Sequence, residues 1–169
     1  HAEAGDAQAQ FRLFQILGQA HCTDDEYTEA LGWLHRAARA DHPDATFLLG
    51  IRYITGVDVT EDQTRGLQLI ERSAHAGHGE AQFQFAMLLL EASTSRKEQE
   101  QGLYWLGKAA SEGDTKAALT LGHIYAAGLH GITRQDCWAA DWFDAATDLA
   151  QDARIDVTAL LPGDLDCQY

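Results

Sequence analysis

The fold is decided by residues 44–56, DATFLLGIRYITG, whose pattern returns at residues 113–128, GDTKAALTLGHIYAAG. In both segments a small anchor residue, Ala45 or Ala117, is followed by Leu-Gly four and five residues later, by Tyr after eight and by Gly after eleven. The same anchor falls at Ala9 and Ala81, so the chain repeats with a period of 36 residues. A period of this length is typical of solenoids that stack helix pairs.

Each repeat contains two helical patterns. Apolar residues two, four and eight positions after each anchor share one helical face. A second helix follows about 24 residues after each anchor and carries the column Trp33, Leu69, Trp105 and Trp142. In the last copy this column is shifted by one residue, because the loop 128–132 contains an extra residue. We therefore predict an all-α chain in which residues 1–169 form one domain, with antiparallel helix pairs at about 7–39, 43–76, 79–112 and 114–151.

Local signals mark where these helices begin and end. Capping boxes are predicted at Thr23/Glu26, Thr60/Gln63 and Ser95/Glu98, with a weaker version at Thr133/Asp136. The apolar pattern continues over 153–161 and stops at Pro162, which predicts a C-terminal capping helix. Residues 1–6 match the end of a second helix and the chain lacks an initial Met, so we expect it to be part of a longer protein.

Composition excludes several classes of protein. The longest apolar run, residues 85–90, is far shorter than the ~20 residues that a membrane-spanning helix needs. The net charge is -14 with no Lys/Arg cluster, which argues against nucleic acid and anionic membranes as partners. The acidity either favours a basic partner or serves only solubility. The three cysteines, Cys22, Cys137 and Cys167, follow no repeated column, although one disulfide with one free thiol remains open.

The combined pattern resembles the Sel1-like repeat family, a relative of the tetratricopeptide repeat. The first helix reads small-x-x-x-Leu-Gly-x-x-Tyr-x-x-Gly, and the second reads Ala-x-x-Trp-x-x-x-Ala-Ala, as at Ala30, Trp33, Ala37 and Ala38. The resemblance covers essentially the whole chain and implies a right-handed α/α superhelical solenoid that acts as a scaffold. Phe14 departs from the small residue found at Gly50, Ala86 and Gly122, so the first repeat should pack differently.

The sequence gives little support for catalysis or for metal binding. None of the serines Ser73, Ser93, Ser95 and Ser111 has Lys three residues later, so the reactive Ser-x-x-Lys motif is absent. A weak β-lactam-binding enzyme activity, which is attributed to cysteine-rich members of the family, is therefore only an outside alternative. His75, His78 and Glu80 could offer metal ligands, but no further ligand is evident. We expect no enzyme activity, no cofactor and no metal.

Two surfaces are candidates for binding a partner. By analogy with tetratricopeptide geometry, a groove formed by the first helices would present Phe11, Phe47, Ile51, Arg52, Ile54, Phe83, Gln84, Met87, Leu90, Leu119 and His123. The alternative is that these side chains pack between successive first helices. An acidic ladder of Asp141, Asp144, Asp148, Asp152 and Asp156 recurs at helical spacing and would attract a basic segment, unless it is only a solvated face.

The leading functional hypothesis is a bacterial, non-catalytic module that binds another protein. Its most specific form is an immunity-type or chaperone-like binder of a secreted effector, because the chain is small, acidic and without a catalytic constellation. A structural adaptor in an envelope or secretion assembly is the alternative. We expect no insertion into a membrane, and family habit slightly favours an exported protein.

Overall fold

The computed structural model describes residues 6–19, 23–153, 155–157 and 160–161. Within these residues the structure is all-α, which confirms the predicted fold class. Eight α-helices and one short 3-10 helix are described: α1 Ala7–Leu17, α2 Asp24–Arg39, α3 Pro43–Thr55, α4 Gln63–His75, α5 Gly79–Ala92, α6 Arg96–Ser111, α7 Thr115–Ala127, the 3-10 helix Leu129–Gly131 and α8 Asp136–Ala153.

The helices belong to two compact units, His1–Ala81 and Gln82–Tyr169. In the first unit, Gly50 of α3 faces Gly66 and Ile70 of α4, while Ile54 approaches Gly66, so the two helices run antiparallel. In the second unit, Leu90 of α5 meets Gly102 of α6, and α7 packs on α8 through Gly122 and Phe143. Each unit therefore contains helices that pack closely in pairs.

Side-chain caps start most of the helices. Thr23 with Glu26 and Ser95 with Glu98 form complete capping boxes, as predicted. Hydrogen bonds from the backbone and side chain of Thr23 lower the pKa of the Glu26 carboxyl. The box predicted at Thr60 is wrong, because Asp62 caps α4 instead and its carboxylate accepts the amide of Arg65 at 3.0 Å. A carboxylate next to the helix is a better acceptor for the free amides than a hydroxyl two residues earlier.

Histidines take over the capping position of the first helix in two repeats. The residues preceding α1, α3, α5 and α7 are Asp6, His42, His78 and Asp114, and each accepts a backbone amide of its helix. The Nδ1 atom of His78 accepts the amide of Ala81 at 3.1 Å. This role requires an unprotonated Nδ1, so the caps at His42 and His78 depend on the neutral imidazole.

Glycines allow the paired helices to approach closely. A Cβ atom at Gly66 would lie 2.5 Å from Cγ1 of Ile54 and 2.8 Å from the carbonyl oxygen of Gly50. At Gly102 it would lie 2.6 Å from Cγ of Leu90, and at Gly122 2.6 Å from the ring of Phe143. The small column on the first helix was predicted, whereas the matching glycines on the second helix, Gly66 and Gly102, were not.

The two ends of the chain are only partly described. Residues 1–5 of the predicted preceding helix lie outside the described residues. At the other end, α8 extends to Ala153 and the amide of Ile155 donates to the carbonyl of Ala150 at 2.8 Å. Residues 155–157 have no regular secondary structure, so the predicted capping helix over 153–161 is not formed there, although the Val157 side chain is buried. The remainder of that segment, apart from residues 160–161, lies outside the described residues.

The close approach at Gly66 makes its replacement costly. Gly66→Ala is expected to lower the free energy of unfolding by about 1–3 kcal/mol, because the new methyl group meets a backbone oxygen that cannot move alone. Gly32→Ala is the matched control within the same unit, since a Cβ there meets nothing within 4 Å. That control should gain about 0.5–1 kcal/mol from helix propensity. Urea unfolding of both variants measures the difference, and an equally stable Gly66→Ala protein would contradict the tight contact.

The histidine cap at α5 predicts a pH-dependent stability. Burial lowers the pKa of His78, against the raising effects of Asp44 and Glu80, so the folded protein binds protons less readily than the unfolded chain. Stability is then fully present above the ordinary histidine pKa of 6.5 and is lost as the pH falls through the lowered value. His78→Asn, which keeps a capping acceptor without titrating near neutral pH, should show a shallower loss between about pH 7 and 5.

A second variant separates titration from capping in this experiment. His78→Ala should also flatten the pH dependence, but it should cost about 1 kcal/mol relative to His78→Asn at pH 7.5 because the cap is lost. Urea denaturation followed by circular dichroism across this pH range measures both effects. An unchanged slope in His78→Asn would mean that His78 does not sense pH.

Candidate partner-binding surfaces

The predicted groove residues of the first unit lie in different environments. Phe11 is buried and its ring contacts His42 at a centroid distance of 4.6 Å. Phe47 is half-buried, with the ring of His78 stacked on it at 4.5 Å. Ile51 and Ile54 are also half-buried, and Ile54 packs against Gly66 of α4. In this unit only Phe47, Ile51 and Ile54 keep accessible apolar surface among the predicted apolar residues.

Arg52 is engaged within its own unit. Its guanidinium forms an ion pair with Asp58 and donates to the hydroxyl of Tyr27 at 3.2 Å, while that hydroxyl donates to Asp58 at 2.7 Å. The guanidinium also lies 5.8 Å from the centroid of the Phe14 ring, the residue that departs from the small column in the first repeat. Arg52 therefore joins the loop before α4 to α1 and α2, and its charge is already neutralised.

The groove residues of the second unit are divided in a similar way. Leu90 and Leu119 are buried, and Leu90 fills the space above Gly102. Phe83, Gln84 and Met87 are half-buried on α5. His123 is exposed and its ring lies edge-on to Phe143 at 5.0 Å. Burial of Phe11, Leu90 and Leu119 removes three side chains from the predicted set of partner contacts, because each packs inside its unit.

The acidic ladder is exposed along α8. Asp141, Asp144, Asp148 and Asp152 lie on this helix and all four are exposed. At about 100° per residue they fall opposite the buried face formed by Ala139, Phe143, Ala146 and Ala150. Asp156 is also exposed but follows the end of the helix, so it is not in line with the others. None of the four helical carboxylates has an ion pair within the part of the chain that the structure describes.

A cavity of about 460 Å³ lies at the N-terminal end of the same helix. Its apolar wall comprises Leu103 of α6, Tyr125 of α7, Ile132 of the connecting loop and Trp138 of α8. The rings of Tyr125 and Trp138 meet edge to face at 5.3 Å, and Trp138 is 53% exposed. Burial raises the pKa of the Tyr125 phenol, so it stays neutral. Sequence reasoning did not identify this cavity.

An alignment of the four repeats contains one feature from which the cavity could have been predicted. Allowing for the extra loop residue, Trp138 occupies the column of Glu29, Arg65 and Gln101. In the second repeat Arg65 covers the equivalent tyrosine, Tyr53, at 4.4 Å from the ring centroid. A half-exposed tryptophan in a column that is otherwise polar is therefore not required by the fold.

The extra loop residue shapes one side of this cavity. The amide of Gln135 donates to the carbonyl of Tyr125 at 2.9 Å, whereas in the second repeat Asp62 makes the same bond to Tyr53 one residue earlier. His130 and Gly131 adopt positive φ angles of 52° and 74°. A Cβ at Gly131 would come within 2.9 Å of Nε2 of Gln99, so the loop lies against α6.

Other chemistry in the described residues is limited. Cys137 forms a disulfide. No group of three or more potential metal ligands occurs among the described residues, and His78 uses Nδ1 for the α5 cap and approaches Asp44 with Nε2 at 3.5 Å. Over the same residues, no helix is long and apolar enough to cross a membrane.

Comparisons with known proteins identify the repeat. The sequence profile of the Sel1 repeat matches residues 7–42, 43–78 and 79–114. The pair formed by α7 and α8 lies beyond the third match but has the same glycine contact at Gly122. No curated protein matches the sequence.

Solved structures show the same fold. A protective antigen of uropathogenic Escherichia coli strains, which displays an SLR fold, is 27% identical with a TM-score of 0.72 over 87% of this chain and 31% of its own. A Sel1 repeat protein from Oxalobacter formigenes is 28% identical with a TM-score of 0.71 over 87% of this chain and 60% of its own. The chain thus spans less than two thirds of either protein. A Pseudomonas aeruginosa protein, 15% identical with a TM-score of 0.53 over 89% of this chain and 71% of its own, is similar in fold alone.

With three matched repeats covering well over half of its length, the chain belongs to the Sel1 repeat family.

Proposed function

We propose that this chain is a non-catalytic module whose role is the immunity-type or chaperone-like binding of a secreted bacterial effector. Sel1 repeats are in general protein-interaction modules, and this chain has the helix pairs of that family. The observation that carries the finer proposal is the acidic face of α8, which we define as Asp141, Asp144, Asp148 and Asp152. It favours a partner with a basic surface.

The acidic face carries charge that the fold does not need. Neighbouring carboxylates at three- and four-residue spacing repel each other by about 0.2–0.5 kcal/mol per pair. Three other acidic residues of the second unit are engaged locally: Glu98 caps α6, Glu100 pairs with Arg96 at 2.9 Å and Asp136 pairs with Arg134 at 2.6 Å. The Arg134 side chain lowers the pKa of Asp136 accordingly. The acidic face has no such compensation within the described residues, which is what a binding surface for cations requires.

The disulfide at Cys137 supports an exported protein as part of this proposal. Disulfides persist mainly in oxidising compartments such as the bacterial periplasm and the cell surface. One of the similar structures is a protective antigen of a pathogenic bacterium. An exported binder would meet secreted effectors where they act.

Charge reversal on α8 tests the proposal. The protein encoded by the neighbouring reading frame is purified, and its binding to this chain is measured by calorimetry at low and at physiological salt. We expect a one-to-one complex that Asp144→Arg/Asp148→Arg weakens about tenfold or more. The double variant should fold, since the new arginines gain opposite-charge neighbours in Asp141 and Asp152.

A matched control changes the net charge equally at another place. Glu71→Arg/Glu112→Arg reverses two exposed carboxylates that are not part of α8 and should leave affinity within about twofold. Equal losses in both double variants would contradict the acidic face as the binding surface. Co-expression with the effector then separates immunity from adaptor function, since only an immunity-type binder restores growth. Absence of a complex with any neighbouring gene product would overturn the proposal.

A further inference from the structure

We propose that the cavity beside Trp138 receives one bulky apolar side chain of a basic partner segment, whose cations lie along the acidic face of α8. This inference rests on the proposed function, because it names the chemistry of the partner at the same helix. The cavity volume of about 460 Å³ falls within the range of sites that bind side chains and small ligands. Its apolar wall supplies the kind of surface that aromatic anchors fill.

Trp138 connects the cavity to the acidic face. Asp141 follows Trp138 by three residues, so the two side chains share one half of α8. At about 1.5 Å per residue, the distance along α8 from Trp138 to the far end of the acidic face at Asp152 is roughly 20 Å. A partner segment with one apolar anchor at one end and successive Lys or Arg residues would contact the cavity and the carboxylates together.

The charges around the cavity select a basic occupant. Arg96, which lines the cavity, is paired with Glu100, and Arg134, which lies between the lining residues Thr133 and Gln135 in the chain, is paired with Asp136. Among the described residues, both of these guanidinium groups are compensated, whereas four carboxylates without an ion pair follow along the helix, the first of them one turn beyond Trp138. A second copy of this chain, with its net charge of -14, would bring like charges together and is disfavoured.

The substitution in the test is taken from the repeat itself. Trp138→Gln introduces the residue found in the same column at Gln101, so it is compatible with a second helix of this family. Tyr104→Gln is the matched control, because Tyr104 is 66% exposed, does not line the cavity and has Gln68 in its column. Circular dichroism and thermal unfolding verify that both variants are folded.

The probe is a pair of labelled synthetic peptides. Each peptide carries lysines at three- and four-residue spacing and one phenylalanine, which is at the N-terminal end of one peptide and at the C-terminal end of the other. Fluorescence anisotropy measures the affinity of each peptide for the protein. For the tighter peptide, we expect Trp138→Gln and a Phe→Ala version of the peptide each to weaken binding about tenfold, and Tyr104→Gln to change it less than about twofold. Quenching or a shift of tryptophan emission that disappears in Trp138→Phe would place the anchor at this residue.

Several outcomes would overturn the inference. If neither peptide binds the wild-type protein at low salt, or if removing the phenylalanine leaves the affinity unchanged, the cavity is not an anchor site. Loss of binding in Asp144→Arg/Asp148→Arg without loss in Trp138→Gln would leave the acidic face of the proposed function standing and refute the cavity alone. A dimer in size-exclusion chromatography that Trp138→Gln dissociates would show that a second copy, not a basic segment, covers the site.

Discussion

The close contact between the two helices of a pair is the constraint on which the structure depends. At Gly66 the backbone of α4 approaches the carbonyl oxygen of Gly50 in α3, and at Gly102 the side chain of Leu90 occupies the space that a Cβ would need. Packing at this distance leaves no room for a second side chain, so Gly66 lies against Gly50 and Ile54, and Gly102 lies against Leu90. Antiparallel pairing then follows from short connections and from this alternation.

Most of the fold was predictable because the same residue types recur at equivalent positions of each repeat. The period of 36 residues predicted the all-α fold, and capping boxes at Thr23 and Ser95 located two helix starts. The box at Thr60 was mispredicted, since sequence spacing does not show which of several acceptors reaches the free amides, and Asp62 does. The histidine caps were missed because an imidazole can cap a helix only in the tautomer whose Nδ1 is free to accept. The ring must also be correctly oriented, and the stacking of His78 on Phe47 does this for α5.

The candidate surfaces were harder to predict, because helical spacing gives a face but not its neighbours. Arg52 was placed on the groove by its spacing, yet a loop residue, Asp58, neutralises it. Leu90 shares the column of Ile54 but is buried, since it fills the gap that Gly102 leaves. The acidic ladder could be predicted because four of its members lie on one helix, where the spacing of residues in the sequence determines the direction in which each side chain points. Its fifth member, Asp156, lies past the end of α8, which the sequence pattern did not show.

Electrostatics alone would not make α8 a specific binding site. Exposed ion pairs contribute about 0–1 kcal/mol each, so four carboxylates supply at most roughly 4 kcal/mol, whereas a nanomolar complex needs about 12 kcal/mol. The remainder has to come from buried apolar surface, and on this helix Trp138, at 53% exposure, is the large side chain that offers it. In the other repeats the position of Trp138 is occupied by Glu29, Arg65 and Gln101. Arg65 lies over the ring of Tyr53, which is the equivalent of Tyr125, so an arginine takes the place of the second aromatic ring there. The carboxylates thus supply attraction and orientation, while the tryptophan supplies the surface whose burial discriminates between basic partners.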